Sequence, residues 1–454
     1  MNAHDHARSQ ASAYLEQLKD LIRIPSISTD PERKGDIRRA AEWLADDLRR
    51  IGFERVEIKP TAGHPVVYAE WLGAGEGAPT VLVYGHYDVQ PAEIEAGWTS
   101  DPFEPVERDG FLYARGASDD KGQVFAHVKA AESLMAAGRP PVNLKLVIEG
   151  EEEIGSPHLS AFVSENQDLL KANVCVISDS GIPKINEPAI VYALRGLVYV
   201  ELEVFGPARD LHSGQYGGTV HNPAQALAEM IAQLHHPDGS VAVPGFYDDV
   251  LPLSDEERAE LAKKPWDEAD WRRTTGAPMP WGEASYALHE RVGARPTLEI
   301  NGLVSGFYGP GQKTVLPAKA LAKISCRLVA NQNPTRIYEL IRDYVARITP
   351  PTVRSEVRLL QTGEAAYVDR HTEAMQAAIH AYEQGWGSKP VFMREGGSIP
   401  IVADFQHKLN LPVILMGFGL NDDGAHGPNE RFNIEMFHRG VQTAIYFYEA
   451  IAGR

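Results

Sequence analysis

Four short apolar runs in this chain each lead into side chains that bind metal ions well. Residues 81–84 run into His86 and Asp88. Residues 144–148 run into the acidic series Glu149, Glu151, Glu152 and Glu153. Residues 174–177 run into Asp179, and 411–416 lead, after a glycine-rich loop, to Asp423 and His426. Imidazole and carboxylate donors suit zinc, cobalt or manganese. One acid behind a strand is ordinarily a cap or a solvated loop residue. Two imidazoles and several carboxylates at successive strand ends argue instead for a shared centre. In open α/β sheets, sites lie beyond the carboxyl ends of the strands, so these groups converge if the runs are such strands. A centre with two metals also needs an anion common to both. Asp119, in Arg115-Gly116-Ala117-Ser118-Asp119-Asp120-Lys121-Gly122, lies where a loop enters a helix and has that chemistry. Taken alone, the same position reads first as a plain helix N-cap, which Asp favours.

The elements that must position these groups follow from the apolar pattern. The runs are short and unbroken, as in strands buried on both faces of a parallel sheet. Val124, Val128, Ala131 and Leu134-Met135 form a helical stripe after Gly122. Strand and helix alternating at this pitch predict an α/β fold, a mostly parallel sheet with helices on both faces. The period changes near residue 197. Val198, Val200, Leu202 and Val204 alternate with polar residues, as do Ala322, Ile324, Cys326 and Leu328. These are strands with one covered face. Asn222-Pro223 and Asn333-Pro334 each open a helix, running through Leu234 and Ile348. The expectation is a catalytic domain from residues 1–197 and 365–454, with an α+β domain inserted at 198–364. Residues 237–295, rich in Pro, Asp, Glu and Trp, read as loop and short helix.

A chain of 454 residues favours two domains. A net charge of −18 argues against a nucleic-acid partner, which would call for a basic face. No run approaches the roughly 20 apolar residues of a membrane span. The N-terminus reads as an amphipathic helix rather than a signal peptide, so no membrane partner and a cytoplasmic enzyme are expected. The two cysteines, Cys175 and Cys326, sit in strand-like runs and read as buried free thiols.

The segments GHYDVQP, LKLVIEGEEEIGS, DLHSGQYGG, REGGSIP and DDGAHGPNE together resemble one family. It is the di-zinc metallopeptidase family of carnosinases, cytosolic non-specific dipeptidases, carboxypeptidase G, aminoacylase and succinyl-diaminopimelate desuccinylase. The resemblance covers nearly the whole chain and is closest to the carnosinase and non-specific dipeptidase branch. It implies two divalent metal ions, Zn²⁺ first, with Mn²⁺ or Co²⁺ as alternatives. Asp119 would bridge them, His86 and Asp179 completing one and Glu153 and His426 the other. Asp88 would orient His86, and Glu152 would be the general base. Relatives usually have two acids where this chain has three in a row; the following Gly155-Ser156 selects 152 and 153, whereas a shift by one selects 151 and 152. The peptide after the bridging Asp is expected to be cis. The resemblance further implies a homodimer through the inserted domain, with His212 acting in the partner's site. Thr314, Arg327 and Ser398 would hold a substrate carboxylate. The substrate is then a dipeptide or, alternatively, an N-acyl amino acid.

Overall fold

The four apolar runs become neighbouring strands. In the computed structural model, which describes residues 1–263, 268–397 and 399–453, Asn143–Glu149, Thr80–His86, Val174–Ile177 and Val413–Leu415 lie side by side in that order, every pair parallel. Their side chains are almost wholly buried, so apolar residues occupy both faces without alternation. The flanks of the sheet pair antiparallel. Val66–Trp71 pairs antiparallel with Asn143–Glu149, Arg55–Lys59 pairs antiparallel with Val66–Trp71, and Ala189–Leu194 pairs antiparallel with Val413–Leu415. The sheet is therefore mixed. A short turn suffices to join Arg55–Lys59 to Val66–Trp71, whereas parallel neighbours need a crossover of roughly a dozen residues or more.

The chain divides into two compact units. The first takes Met1–Tyr192, Val368–Met393 and Ile401–Arg454, and contains the four central strands. Its helix Lys121–Ala137 has an apolar stripe in sequence but is buried nearly all round. Its polar residues are satisfied by partners from distant segments. Lys129 meets Asp47 and Glu132, Ser133 meets Tyr14, and His127 lies between Ser178 and Tyr448. A helix that is buried on every side need not be apolar on every side if each polar group is paired.

The second unit takes Ala193–Tyr367 with Arg394–Pro400. Its four-stranded antiparallel sheet runs in the order Thr297–Ser305, Lys319–Leu328, Gly196–Phe205, Arg354–Gly363. The alternating residues Val198, Val200, Leu202, Ala322 and Ile324 face a core that includes Leu227, Ile337 and Ile341 from helices Pro223–Ala232 and Pro334–Ile348. Both helices begin with Pro at the first turn, and their Asn caps accept from Ala224 and Arg336 backbone amides. Within 237–295, the described residues form the short helices Asp255–Leu261, Glu268–Thr275 and Leu288–Gly293 among loops. The edge strand Thr297–Ser305 leaves Leu303 and Val304 more than half exposed.

Both cysteines are free and fully buried, Cys175 in a central strand of the first unit and Cys326 in the sheet of the second. Among the described residues, no helix is long and apolar enough to cross a membrane.

Candidate active site

The first unit gathers two ligand groups at the carboxyl ends of its parallel strands. His86, Asp119 and Asp179 form one; Asp119, Glu153 and His426 form the other. Within each group the donor atoms lie within 4.8 Å of one another. Asp119 belongs to both. Its Oδ1 stands 3.1 Å from His86 Nε2, and its Oδ2 stands 3.0 Å from His426 Nε2. Glu153 Oε2 is also 3.0 Å from His426 Nε2, and Asp179 Oδ2 is 3.8 Å from His86 Nε2. The Asp119–Asp120 peptide is cis.

Each donor has a local reason for its position. His86 ends the strand Thr80–His86, and its backbone amide donates to Asp120 Oδ2. Its Nδ1 lies 3.0 Å from the Asp88 carbonyl and 3.4 Å from Asp88 Oδ1, which turns Nε2 towards Asp119. The Asp88 carboxylate has a second task besides facing His86. Its two oxygens accept from the backbone amides of Glu152 (3.2 Å) and Glu153 (3.1 Å), pinning the 3-10 turn Glu152–Ile154. Asp88 thus links the His86 strand end to the Glu152–Glu153 turn. His426 reaches its place with a left-handed backbone, φ 62°.

The three consecutive glutamates point to different partners. Glu151 Oε1 accepts from the His64 backbone amide, and its Oε2 meets His158 Nδ1 at 2.8 Å. Glu153 turns into the second ligand group. The Glu152 carboxylate makes no hydrogen bond among the described residues.

Donor chemistry fits divalent cations. Imidazole nitrogen and carboxylate oxygen are borderline donors for zinc-like ions. Glu153 Oε1 is buried and has no hydrogen-bond partner, an arrangement that is costly unless a cation faces it. Four carboxylates, Asp119, Glu152, Glu153 and Asp179, crowd against two imidazoles. Burial pushes the Glu152 carboxyl well above the usual carboxylate range, and the charges of Asp179, Asp119 and Glu153 add to the shift. Burial would lower the affinity of His86 for a proton, but its hydrogen bonds to Asp119 and Asp88 outweigh that and hold the imidazolium. His426 is raised to about 10, chiefly by Asp119 and then by Glu153.

A sign follows for metal uptake. The His426 proton contributes stability that is fully present below the ordinary imidazole value of 6.5 and is lost as pH rises through about 10. A cation on Nε2 must displace that proton. Metal binding at pH 7 to 8 is therefore expected to release protons from His86 and His426, and affinity should climb as pH rises towards 10. Calorimetry of Zn²⁺ addition in buffers of different ionisation enthalpy reads the release directly. Heats independent of the buffer contradict it.

The remaining candidates lie in the second unit. His212 and Thr314 come together on a two-stranded ribbon: His212 pairs with Val315, and Ser213 donates its amide to the Thr314 carbonyl. Both side chains are exposed, and His212 Nδ1 accepts from the Gly214 amide. Arg327 lies in the strand Lys319–Leu328, opposite Leu197 and Thr297, and is partly buried. Ser398 lies outside the described residues.

Gln90, Arg115, Asp120 and Glu430 were not singled out by sequence reasoning. Gln90 donates 2.8 Å to Glu153 Oε2. It and Glu430 both sit inside motif segments, GHYDVQP and DDGAHGPNE, which was the available signal.

Peptidase family M20/M25/M40 matches residues 82–450 of the chain. A Cys-Gly metallodipeptidase of Schizosaccharomyces pombe is 31% identical over 97% of this chain and 95% of its own length. The Beta-Ala-His dipeptidase of Homo sapiens is 32% identical over 97% and 90%. The solved structure of an M20 family metallo-carboxypeptidase from Sulfolobus solfataricus superposes with a TM-score of 0.87 at 31% identity, covering 97% of this chain and 99% of that one.

Proposed function

The chain belongs to peptidase family M20/M25/M40, and from that premise we propose that it is a metal-dependent dipeptidase whose general base is Glu152. The observation that carries the reading is Asp119, with one carboxylate oxygen towards each of two imidazoles. His86 and Asp179 would hold one divalent cation, Glu153 and His426 the other, and Asp119 both. Bound there, the cations would polarise the scissile carbonyl and lower the pKa of water.

The rest is the work of the chain's own residues. Glu152 takes a proton from the attacking water; burial first, and then the surrounding carboxylates, raise its proton affinity and favour that transfer. The same carboxyl then delivers the proton to the leaving amine. Asp88 holds the turn that carries Glu152 and Glu153, so base and ligand keep a fixed spacing. A dipeptide substrate is supported by relatives that are named as dipeptidases. Arg327, Thr314 and Ser398 would bind its terminal carboxylate, the guanidinium by a two-pronged contact.

The test is a substrate panel: dipeptides, a tripeptide and N-acyl amino acids, each assayed with Zn²⁺, Mn²⁺ or Co²⁺ after chelator treatment. Dipeptides should be cleaved fastest, and only with a cation restored. Preferred cleavage of N-acyl amino acids rejects the substrate class, and full activity of rigorously metal-free protein rejects the mechanism.

A homodimer through the second unit, with His212 stabilising the oxyanion in its neighbour's site, is the companion proposal. The half-exposed Leu303 and Val304 on an open edge strand support a pairing surface, and the exposure of His212 leaves it available. Mixing Glu152→Gln with His212→Ala subunits should then restore part of the activity, because one site of each heterodimer is intact. If mass spectrometry confirms subunit exchange and no activity returns, His212 does not act across the interface.

A further inference from the structure

Arg115 and Glu430 form a fully buried ion pair at 2.8 Å. A buried pair is by itself weak evidence for stability, since desolvation offsets the attraction. This pair also grips backbone on both sides. Glu430 Oε1 accepts from the amides of Ser118 (2.9 Å) and Asp119 (3.0 Å), and its Oε2 accepts from Gly116 (2.9 Å) besides the guanidinium. In return, Arg115 donates to the Gly427 carbonyl at 3.2 Å, next to His426, and to the Pro91 carbonyl at 3.4 Å. Each partner therefore holds the segment on which the other stands.

Those segments need such a hold. The loop carrying Asp119 and the stretch carrying His426 belong to no helix or strand, and His426 and Asn429 both have left-handed backbones. The strands Phe111–Tyr113 and Arg431–Asn433 pair antiparallel beside them, and Ala114 donates its amide to the Glu430 carbonyl at 3.1 Å, but that ladder does not reach Asp119 or His426. Beyond Arg115 and Glu430, two side-chain contacts join them among the described residues, Ser118 Oγ to Asp423 Oδ2 at 3.1 Å and His426 Nε2 to Asp119 Oδ2 at 3.0 Å.

We propose that Arg115 and Glu430 are positioning residues, a reciprocal clasp that sets the distance between Asp119 and His426 and thereby the affinity for both cations. The proposal rests on the two-cation reading above. A glutamine at 430 keeps the shape, but its amide nitrogen would face N–H donors on one side of the clasp. A lysine at 115 keeps the charge without the fork that reaches Glu430 and Gly427 together.

The experiment titrates Co²⁺ into metal-free full-length protein against a competing chelator, alongside thermal unfolding of the metal-free form. Glu430→Gln and Arg115→Lys should each weaken Co²⁺ binding by about 10–100-fold, the usual cost of losing a partner that orients a ligand. Lys129→Met, which breaks the buried pair with Asp47 at the middle of the helix Lys121–Ala137, serves as the control. It should lower the unfolding temperature and leave Co²⁺ affinity as in the parent. If it weakens Co²⁺ as much as the clasp variants do, affinity merely follows global stability and the clasp is rejected. Asp119→Ala separates the two failures. If it leaves Co²⁺ affinity unchanged, the two-cation reading falls and the clasp with it. If it abolishes binding while either folded clasp variant matches the parent, the clasp alone is rejected. Should Glu430→Gln fail to fold, Arg115→Lys decides.

Discussion

Glu152→Gln is expected to retain both cations and to turn over about 10²–10⁴-fold more slowly than the parent, the range of lost general acid–base catalysis. The exchange removes one titratable oxygen and little else. Glu152 is absent from both ligand groups, and its carboxylate makes no hydrogen bond among the described residues, so no structural tie is cut. Its backbone amide remains bound to Asp88. Glu153→Gln should behave in the opposite manner. Glu153 Oε2 faces His426 and Gln90, and its Oε1 is buried without a partner, so an amide there places N–H donors where a cation is expected. Turnover under saturating substrate, measured beside metal content by mass spectrometry, tests both variants. If Glu152→Gln loses a cation while Glu153→Gln keeps two and loses only turnover, the two roles are exchanged.

The second large effect belongs to Asp119. Asp119→Asn should hold at most one cation and show no measurable turnover. The reason lies in the number of acceptors. The carboxylate offers an oxygen to each side, at 3.1 Å from His86 and 3.0 Å from His426, whereas an amide offers oxygen to one side and N–H to the other. Asp179→Asn, by contrast, touches only the His86 group and should leave the second cation in place. Metal content after gel filtration reads the difference, and the rise in unfolding temperature on adding Zn²⁺ should shrink in step with it. An Asp119→Asn protein that keeps two cations contradicts the bridging role.

Much of this arrangement was visible before folding. A buried strand leaves little choice of residue, so its run is plain in sequence, and the sheet's geometry carries whatever follows it to a common edge. His86, Asp179 and the acidic series were therefore readable from position alone. The caps Asn222 and Asn333 were equally local, and the helices begin there. What was not legible depends on contacts between remote segments. Arg115 and Glu430 are 315 positions apart, and neither stands in a periodic element that betrays its orientation. Asp88 reads as the orienter of the imidazole two residues before it, and its carboxylate stands 3.4 Å from His86 Nδ1; that it also holds a turn 64 positions away is not legible in the sequence. The helix Lys121–Ala137 showed one apolar stripe because Lys129 and Ser133 find their partners only after Asp47 and Tyr14 have folded against them. The flanking antiparallel strands carry no sign of direction in their composition, since a buried run reads alike in either sense.

The two cysteines give each unit its own clock. Cys175 lies in a central strand of one unit and Cys326 in the sheet of the other, and burial pushes both thiols well above their ordinary range. A thiol reagent can modify either only when the surrounding unit opens, because reaction needs both access and thiolate. The natural sequence thus carries one reporter of opening per unit, separable by the peptide each modified residue falls in. Every candidate cation ligand belongs to the unit of Cys175. Protection gained there on adding Zn²⁺, set against the rate at Cys326, measures how far stability conferred on one unit is felt by the other.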